Sequence, residues 1–384
     1  MFLEVEVAAQ GLKEWVPSES VPGTPTPSCE TWIEQLSPRL SLPQAPTWVE
    51  PPSPRLTPRS SSAGYTTNAS PPVKKSPACI LAMGCANPPN KFDQATYADW
   101  YFNVTKSSGK VQLKQKMQRI CDRSGIQNRY SILKEEFLKQ HPEFCTPGEP
   151  SLEQRNAITS LLRLSQLWLS RIPGCRCHAD QAGVTALRIA QDLAENNPSS
   201  RILICCSELV ARTFRAPNEK FPYDLVRTAL FGDGASAAVV GAQPQPQIER
   251  PLYQIEWVGE VLAPDSENIE GTLKLEGLQF YLDRTLPSLV SKHVGGFCRA
   301  ALDNAPEKPG FNDIFWAVHS GGPAILNAVE AALELHPEKL SASHHILKHF
   351  GNISASTQSD CEWGIAVAFG PGVTIEVALL KRCK

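Results

Sequence analysis

The chain has 384 residues, 42% of them hydrophobic and 20% charged, enough for one large or two modest domains with a real core. A formal charge of −2 and a pI near 6.5 give no global positive field, which argues against nucleic acid or an anionic membrane surface as partner. No apolar run reaches the roughly 18 residues of a membrane span, and Glu4 and Glu6 stand where a signal peptide would carry basic residues, so neither a spanning nor a secreted protein is expected.

The front of the chain is punctuated by proline: 14 of the 33 prolines lie in residues 1–77, with serine and threonine filling much of the rest. Such a segment buries too little apolar surface to offset its ordering entropy, so residues 1–76 read as a disordered extension. Its glutamates, among them Glu14, Glu19 and Glu30, argue against a transit peptide. Short apolar patches such as Phe2 to Val7 could bind something, but nothing names the partner.

Composition changes at Ala78, where Cys79 to Gly84 reads as a buried strand running into the Asn87-Pro-Pro-Asn90 turn. A helical pattern follows between Asn103 and Tyr130, and Lys116, Arg119 and Arg123 fall at i, i+3 and i+7 on one face. That spacing suits a solvated basic face as well as an anion site. Thr185 to Asn196 predicts an amphipathic helix, and the apolar run Arg201 to Leu209 a buried strand, together an α/β layering. Further strands are predicted at Ser236 to Gly241, Tyr253 to Val261, Asp313 to Val318, Ile365 to Phe369 and Val373 to Leu380. Helices fit at Leu286 to Leu302, Pro323 to Leu335 and Lys339 to Lys348.

Twelve cysteines are scattered along the chain, and the close pairs Cys175/Cys177 and Cys205/Cys206 lack C-x2-C spacing, so they read as reduced cytosolic thiols and not as a metal site. Three glycine-rich turns end apolar runs: Phe231 to Gly234, His319 to Pro323 and Phe369 to Gly372. His319 closes a predicted strand ahead of a helix whose first turn holds Pro323, and functional side chains of α/β sheets gather at such strand ends. A lone histidine there serves a structural role as readily. Asn352 follows a similar break, and a His and an Asn in one pocket could offer two neutral donors to a developing oxyanion, the electrostatic task of acyl transfer.

These residues resemble a known family, the type III polyketide synthases, also called chalcone and stilbene synthases. The resemblance rests on six ordered blocks, Cys121 to Gly125, Ala186 to Asn197, Leu230 to Ala237, Phe315 to Leu326, Phe350 to Ser356 and Ala368 to Glu376, and it spans about residues 78–384. It implies an α/β fold of the five-layered αβαβα thiolase type in two related halves, 77–241 and 242–384. It also implies a cytoplasmic homodimer with no metal or redox cofactor, loading an acyl-CoA starter on a cysteine and extending it with malonyl-CoA by decarboxylative Claisen condensation. By resemblance, His319 is the catalytic histidine and Asn352 its oxyanion-hole partner. Phe231 and Phe280 match gatekeeping phenylalanines, Thr213, Gly271, Gly370, Pro371 and Gly372 match cavity-shaping positions, and Lys116, Arg119 and Arg123 match the residues that hold CoA phosphates.

The departures point elsewhere. Asp180 stands where the family carries its nucleophilic cysteine, five residues before Thr185, so no thiol occupies the position that a helix N-terminus would activate. Cys177 lies three residues further back, roughly 10 Å of extended chain, too far to substitute. Gln181 is one residue off the position at which related decarboxylating domains carry glutamine. Residues 156–184 replace a longer stretch that in the family includes a helix, a core strand and a loop reaching the partner subunit, and a second shortening follows Ser356. His319-Ser320 stands where most members have His-Pro. Three readings follow: an impaired synthase; a non-catalytic relative that binds CoA or polyketide, or pairs with an active paralogue as a heterodimer; and a truncated or mis-assembled gene of an active synthase.

Overall fold

The computed structural model describes residues 2–8, 76–146, 154–155, 182–264, 269–274, 277–282, 284–353 and 361–383. In chain order its elements are β1 (Phe2–Ala8), β2 (Ala78–Ala86), β3 (Lys91–Asp93), α1 (Gln94–Val104), α2 (Val111–Arg123), β4 (Asn128–Tyr130) and α3 (Glu135–Gln140). Then come α4 (Ala182–Asn196), β5 (Arg201–Glu208), α5 (Asp224–Leu230), β6 (Gly234–Ala242), β7 (Tyr253–Leu262), β8 (Ile269–Lys274) and β9 (Gly277–Leu282). The chain closes with α6 (Leu286–Leu302), β10 (Phe315–Val318), α7 (Pro323–Leu333), α8 (Ser341–Phe350), β11 (Trp363–Gly370) and β12 (Thr374–Arg382).

Eight strands join in the order β1-β5-β6-β2-β7-β12-β11-β10. Among the described strands of this sheet only β10 and β11 run parallel. Within that sheet the two halves meet where β2 touches β7, through the pairs Cys79↔Gln254 and Ile80↔Tyr253. Helix α4 sits at the centre. Its Ala186, Ala190 and Ala194, spaced by four, form a flat face that lets strands of both halves approach closely, and they share one buried cluster with Ile202, Ile204 and Val240 of the first half and Ile255, Phe315 and Ala378 of the second. On the far side of the second half, α6 and α7 bury Val290, Val294, Leu326 and Val329 against Trp316, Ile365, Val367 and Val377. Trp316 is fully buried, and its indole N–H donates to the Phe311 carbonyl at 2.9 Å.

Helices α1, α2 and α5 pack on one another through Tyr101, Phe102, Met117 and Leu225, in a cluster whose buried members include no residue of the large sheet. The described residues therefore supply four of the five thiolase layers: outer helices, second-half strands, α4 and first-half strands. Among the described residues the first half shows no outer helical cover, and the stretch 156–181, expected to be shortened, lies outside them. Accordingly β2 is buried only over Ala78–Leu81 and exposed over Ala82–Ala86, where a wholly buried strand was expected.

Three other expectations change. The predicted helical stretch from Asn103 to Tyr130 is the end of α1, then α2, then strand β4, because Gly109 and Gly125, the latter at φ +69°, break the helical path. The hairpin β8–β9 was not foreseen; its Gly271 and Gly277 weaken the strand pattern. Phe2–Ala8 is not disordered: it forms β1, paired along its length with β5, and belongs to the same compact unit as Ser76–Lys384. The alternation Leu3-Glu4-Val5-Glu6-Val7 is a period-2 pattern that outweighs the proline-rich composition behind it. The rest of the expected extension lies outside the described residues.

Candidate active site

His319 follows β10 directly and is nearly buried, its backbone N–H donating to the Val367 carbonyl at 2.8 Å. The chain then turns through Gly321 and Gly322, the latter at φ +146°, into Pro323 at the start of α7. Ser320, fully buried, donates its hydroxyl to the Ile353 carbonyl at 3.0 Å, tying the strand end that carries His319 to the segment that carries Asn352. Here the serine that departs from the family's usual proline has a definite task.

Asn352 is buried and follows Gly351, at φ +77°. A Cβ at 351 would stand 2.7 Å from the Leu230 carbonyl oxygen, so only glycine permits the approach. The Asn352 N–H donates to that same carbonyl at 2.8 Å, and Asn352 forms a parallel bridge with Phe231. Phe231 is further held by Arg129, whose guanidinium donates to its carbonyl at 2.6 Å and to that of Thr228 at 2.8 Å, while Nε donates to Gln94 at 2.8 Å. The next turn is fixed by Asp233, fully buried, which accepts from the N–H groups of Ile132 and Val210 and from the Ser131 hydroxyl. Burial outweighs those bonds and raises its carboxyl to about 6. Thus three positions singled out from the sequence, Phe231, His319 and Asn352, are drawn together by Arg129, Ser320 and Asp233, of which the sequence marked only Ser320, as a departure from the proline expected there.

A cavity of about 760 Å³ opens beside His319. Its walls include Leu187 near the start of α4, Ala368, and the row Cys85, Ser236 and Cys206 across three adjacent strands. Among the nine described cysteines, burial pushes Cys79 and Cys298 up to about 12 and Cys121 to about 11, which takes them out of thiolate chemistry near neutrality. Asp180, Cys177 and Gln181 lie outside the described residues.

The basic helix face is formed as expected. Leu113, Met117 and Cys121 bury one stripe of α2, while Arg119 and Arg123 are exposed with no ion pair among the described residues, and the Lys116 ammonium lies 5.5 Å from the Tyr223 ring centre. None of the three cations lines the His319 cavity. Nor do Thr213, whose hydroxyl donates to the Val210 carbonyl at 3.2 Å, or Gly370 and Gly372, which flank Pro371 in the tight turn between β11 and β12. Gly271 and Phe280 stand directly opposite one another in the β8–β9 hairpin.

Comparison with known families decides the relationship. The chalcone and stilbene synthase N-terminal domain matches residues 67–167 and 173–244, and the C-terminal domain of the same enzymes matches residues 254–359. The chain belongs to the chalcone and stilbene synthase family. Members of this family are acyltransferase-type polyketide synthases. No described helix is long and apolar enough to cross a membrane.

Proposed function

We propose that the chain is a type III polyketide synthase-like acyltransferase that has lost full polyketide synthesis. In this reading it takes CoA thioesters in the cytoplasm, and His319 and Asn352 donate to the thioester oxygen as negative charge develops during decarboxylation of malonyl-CoA. Phe231 borders the route to the cavity, and Lys116, Arg119 and Arg123 hold the CoA phosphates. The observation that carries the reading is the convergence of the His319, Asn352 and Phe231 segments, held by Ser320 and Arg129. Loss of condensation rests on Asp180, a carboxylate that cannot carry an acyl chain as a thioester.

A second reading, a partner subunit that binds CoA or polyketide beside an active paralogue or a second copy, draws on the outer face of the first-half strands, which no described helix covers. Incubation with radiolabelled acyl-CoA and malonyl-CoA separates the two. Release of labelled carbon dioxide without a condensed product supports the first reading, with loss of release in His319→Ala as its control. A condensed product, or covalent label removed by Cys177→Ala, overturns the assignment of Asp180. Absence of any turnover, with retained CoA binding and co-purification of an intact paralogue, assigns the chain to the second.

A further inference from the structure

The two halves of the large sheet are built on one plan. In the second half the strands run β7, β12, β11, β10; in the first they run β2, β6, β5, β1. The first three pair antiparallel in both halves. The fourth position differs. In the second half it is filled by β10, which lies between α6 and α7 in the chain and runs parallel to β11. In the first half it is filled by the start of the chain, running antiparallel to β5. Among the described residues no strand between α2 and α4 enters the large sheet, since β4 pairs only with β3.

We propose that the outer edge of β5, where the described residues hold no counterpart of β10, is a strand-accepting site, and that its occupant is the chain's own Phe2–Ala8. The polarity of both partners supports this register and no neighbouring one. Leu3, Val5 and Val7 stand opposite Cys206, Ile204 and Ile202, the buried positions of β5 that face α4. Glu4 and Glu6 stand opposite Cys205 and Leu203, which are only half-buried. A slip of one residue would pair both glutamates with buried positions of β5, so the match is specified by sequence as well as by hydrogen bonding. An open β5 edge would present a row of unpaired amides and carbonyls to any passing strand, and addition of an extended segment is the ordinary remedy. The glutamates then serve on the new edge strand, where charge discourages further pairing. The long stretch between β1 and β2 imposes little penalty, because closure entropy grows only logarithmically with loop length. The site also bears on function, since β5 supplies Cys206 to the wall of the His319 cavity.

The test uses the full chain. Glu4→Cys places a thiol opposite Cys205, within the Cα separation that a disulfide tolerates, and mild oxidation should link the two, while Glu6→Cys, opposite Leu203, should not link. Mixing isotopically light and heavy chains before oxidation identifies the donor. Linked peptides of a single label place the strand in cis as proposed, whereas mixed-label peptides overturn that and give the edge to a second copy. A double variant, Val5→Pro with Glu6→Pro, removes one ladder N–H whichever parity faces β5. Hydrogen exchange at the outward amides of Arg201–Glu208 should then quicken by about tenfold or more. Unchanged exchange together with no 4–205 link would sink the strand-accepting site.

Discussion

Asn352 and Phe231 are joined by a parallel bridge, and the carbonyl of Phe231 is gripped from the other side by the Arg129 guanidinium at 2.6 Å. A candidate oxyanion donor and a candidate gatekeeper are therefore not independent: the buried arginine that fixes one fixes the other. Arg129→Gln should lose its charge-assisted bonds to Phe231 and Thr228 and its stacking on Tyr97, whose ring centre lies 3.9 Å away. Bonds to charged donors are worth about 1.5–3 kcal/mol each, so a loss of roughly 3 kcal/mol is expected. Thermal denaturation of the variant checks it, and a Tm within a degree of the parent would show that the clamp does not matter.

Two glycines beside the Phe231–Asn352 bridge make a sharper contrast. A Cβ at Gly232 would stand 2.4 Å from the Phe350 carbonyl oxygen, and one at Gly351 would stand 2.7 Å from that of Leu230 at a positive φ, both contacts with backbone that cannot swing away. A Cβ at Gly84 meets nothing within 4 Å. Alanine at 232 or 351 should lower stability by about 2–4 kcal/mol, and alanine at 84 by less than about 0.5. Equal denaturation midpoints for the three variants would contradict this account of the close backbone approach around the bridge.

The sequence showed the elements well where one periodicity ran unbroken: α6 begins and ends at the predicted residues, and β5 and β7 agree within one residue at each end. It failed where two signals competed. The alternation of Phe2–Ala8 lay in front of a proline-rich tract, and composition over the longer window hid the strand. The candidate site was legible only in part, because His319 and Asn352 stand out by side-chain type and Phe231 by family resemblance, whereas Ser320, Arg129 and Asp233 act through bonds to backbone carbonyls and amides far away in sequence. Such partners have no local pattern. Ser320 was visible only as a departure from the family's proline, and its bond to Ile353 gives the departure a meaning.

Arg119 and Arg123 offer a test of ligand binding that leaves the fold intact. Both are exposed and without an ion pair among the described residues, so changing them to glutamine should alter stability by less than about 0.5 kcal/mol. If they meet CoA phosphates, each loss should weaken coenzyme A binding by about three- to tenfold at low salt, and the gap should close as salt rises. Calorimetric titration with coenzyme A measures both. An unchanged Kd at low ionic strength would leave the face as solvated charge.

Glu376 on β12 stands opposite Glu260 on β7, beneath the start of α4. Burial raises its carboxyl to about 7; the Thr185 hydroxyl bond opposes the rise and the neighbouring Glu260 adds to it. Arg188, 3.3 Å from Glu260, offsets that second charge, while Oε2 of Glu376 has no partner among the described residues. A folded pKa above the unfolded value means that the native state holds a proton the unfolded chain has released, so this group's favourable contribution is complete below about 4.5 and is lost as pH climbs to about 7. At 1.36 kcal/mol per pKa unit the loss is roughly 3–4 kcal/mol across that window. Glu376→Gln keeps a neutral acceptor for Thr185 and removes the ionisation. The variant should match the parent at pH 4.5 and exceed it by several degrees in Tm at pH 8. A parent whose Tm does not fall between those pH values relative to the variant would show that Glu376 ionises without penalty.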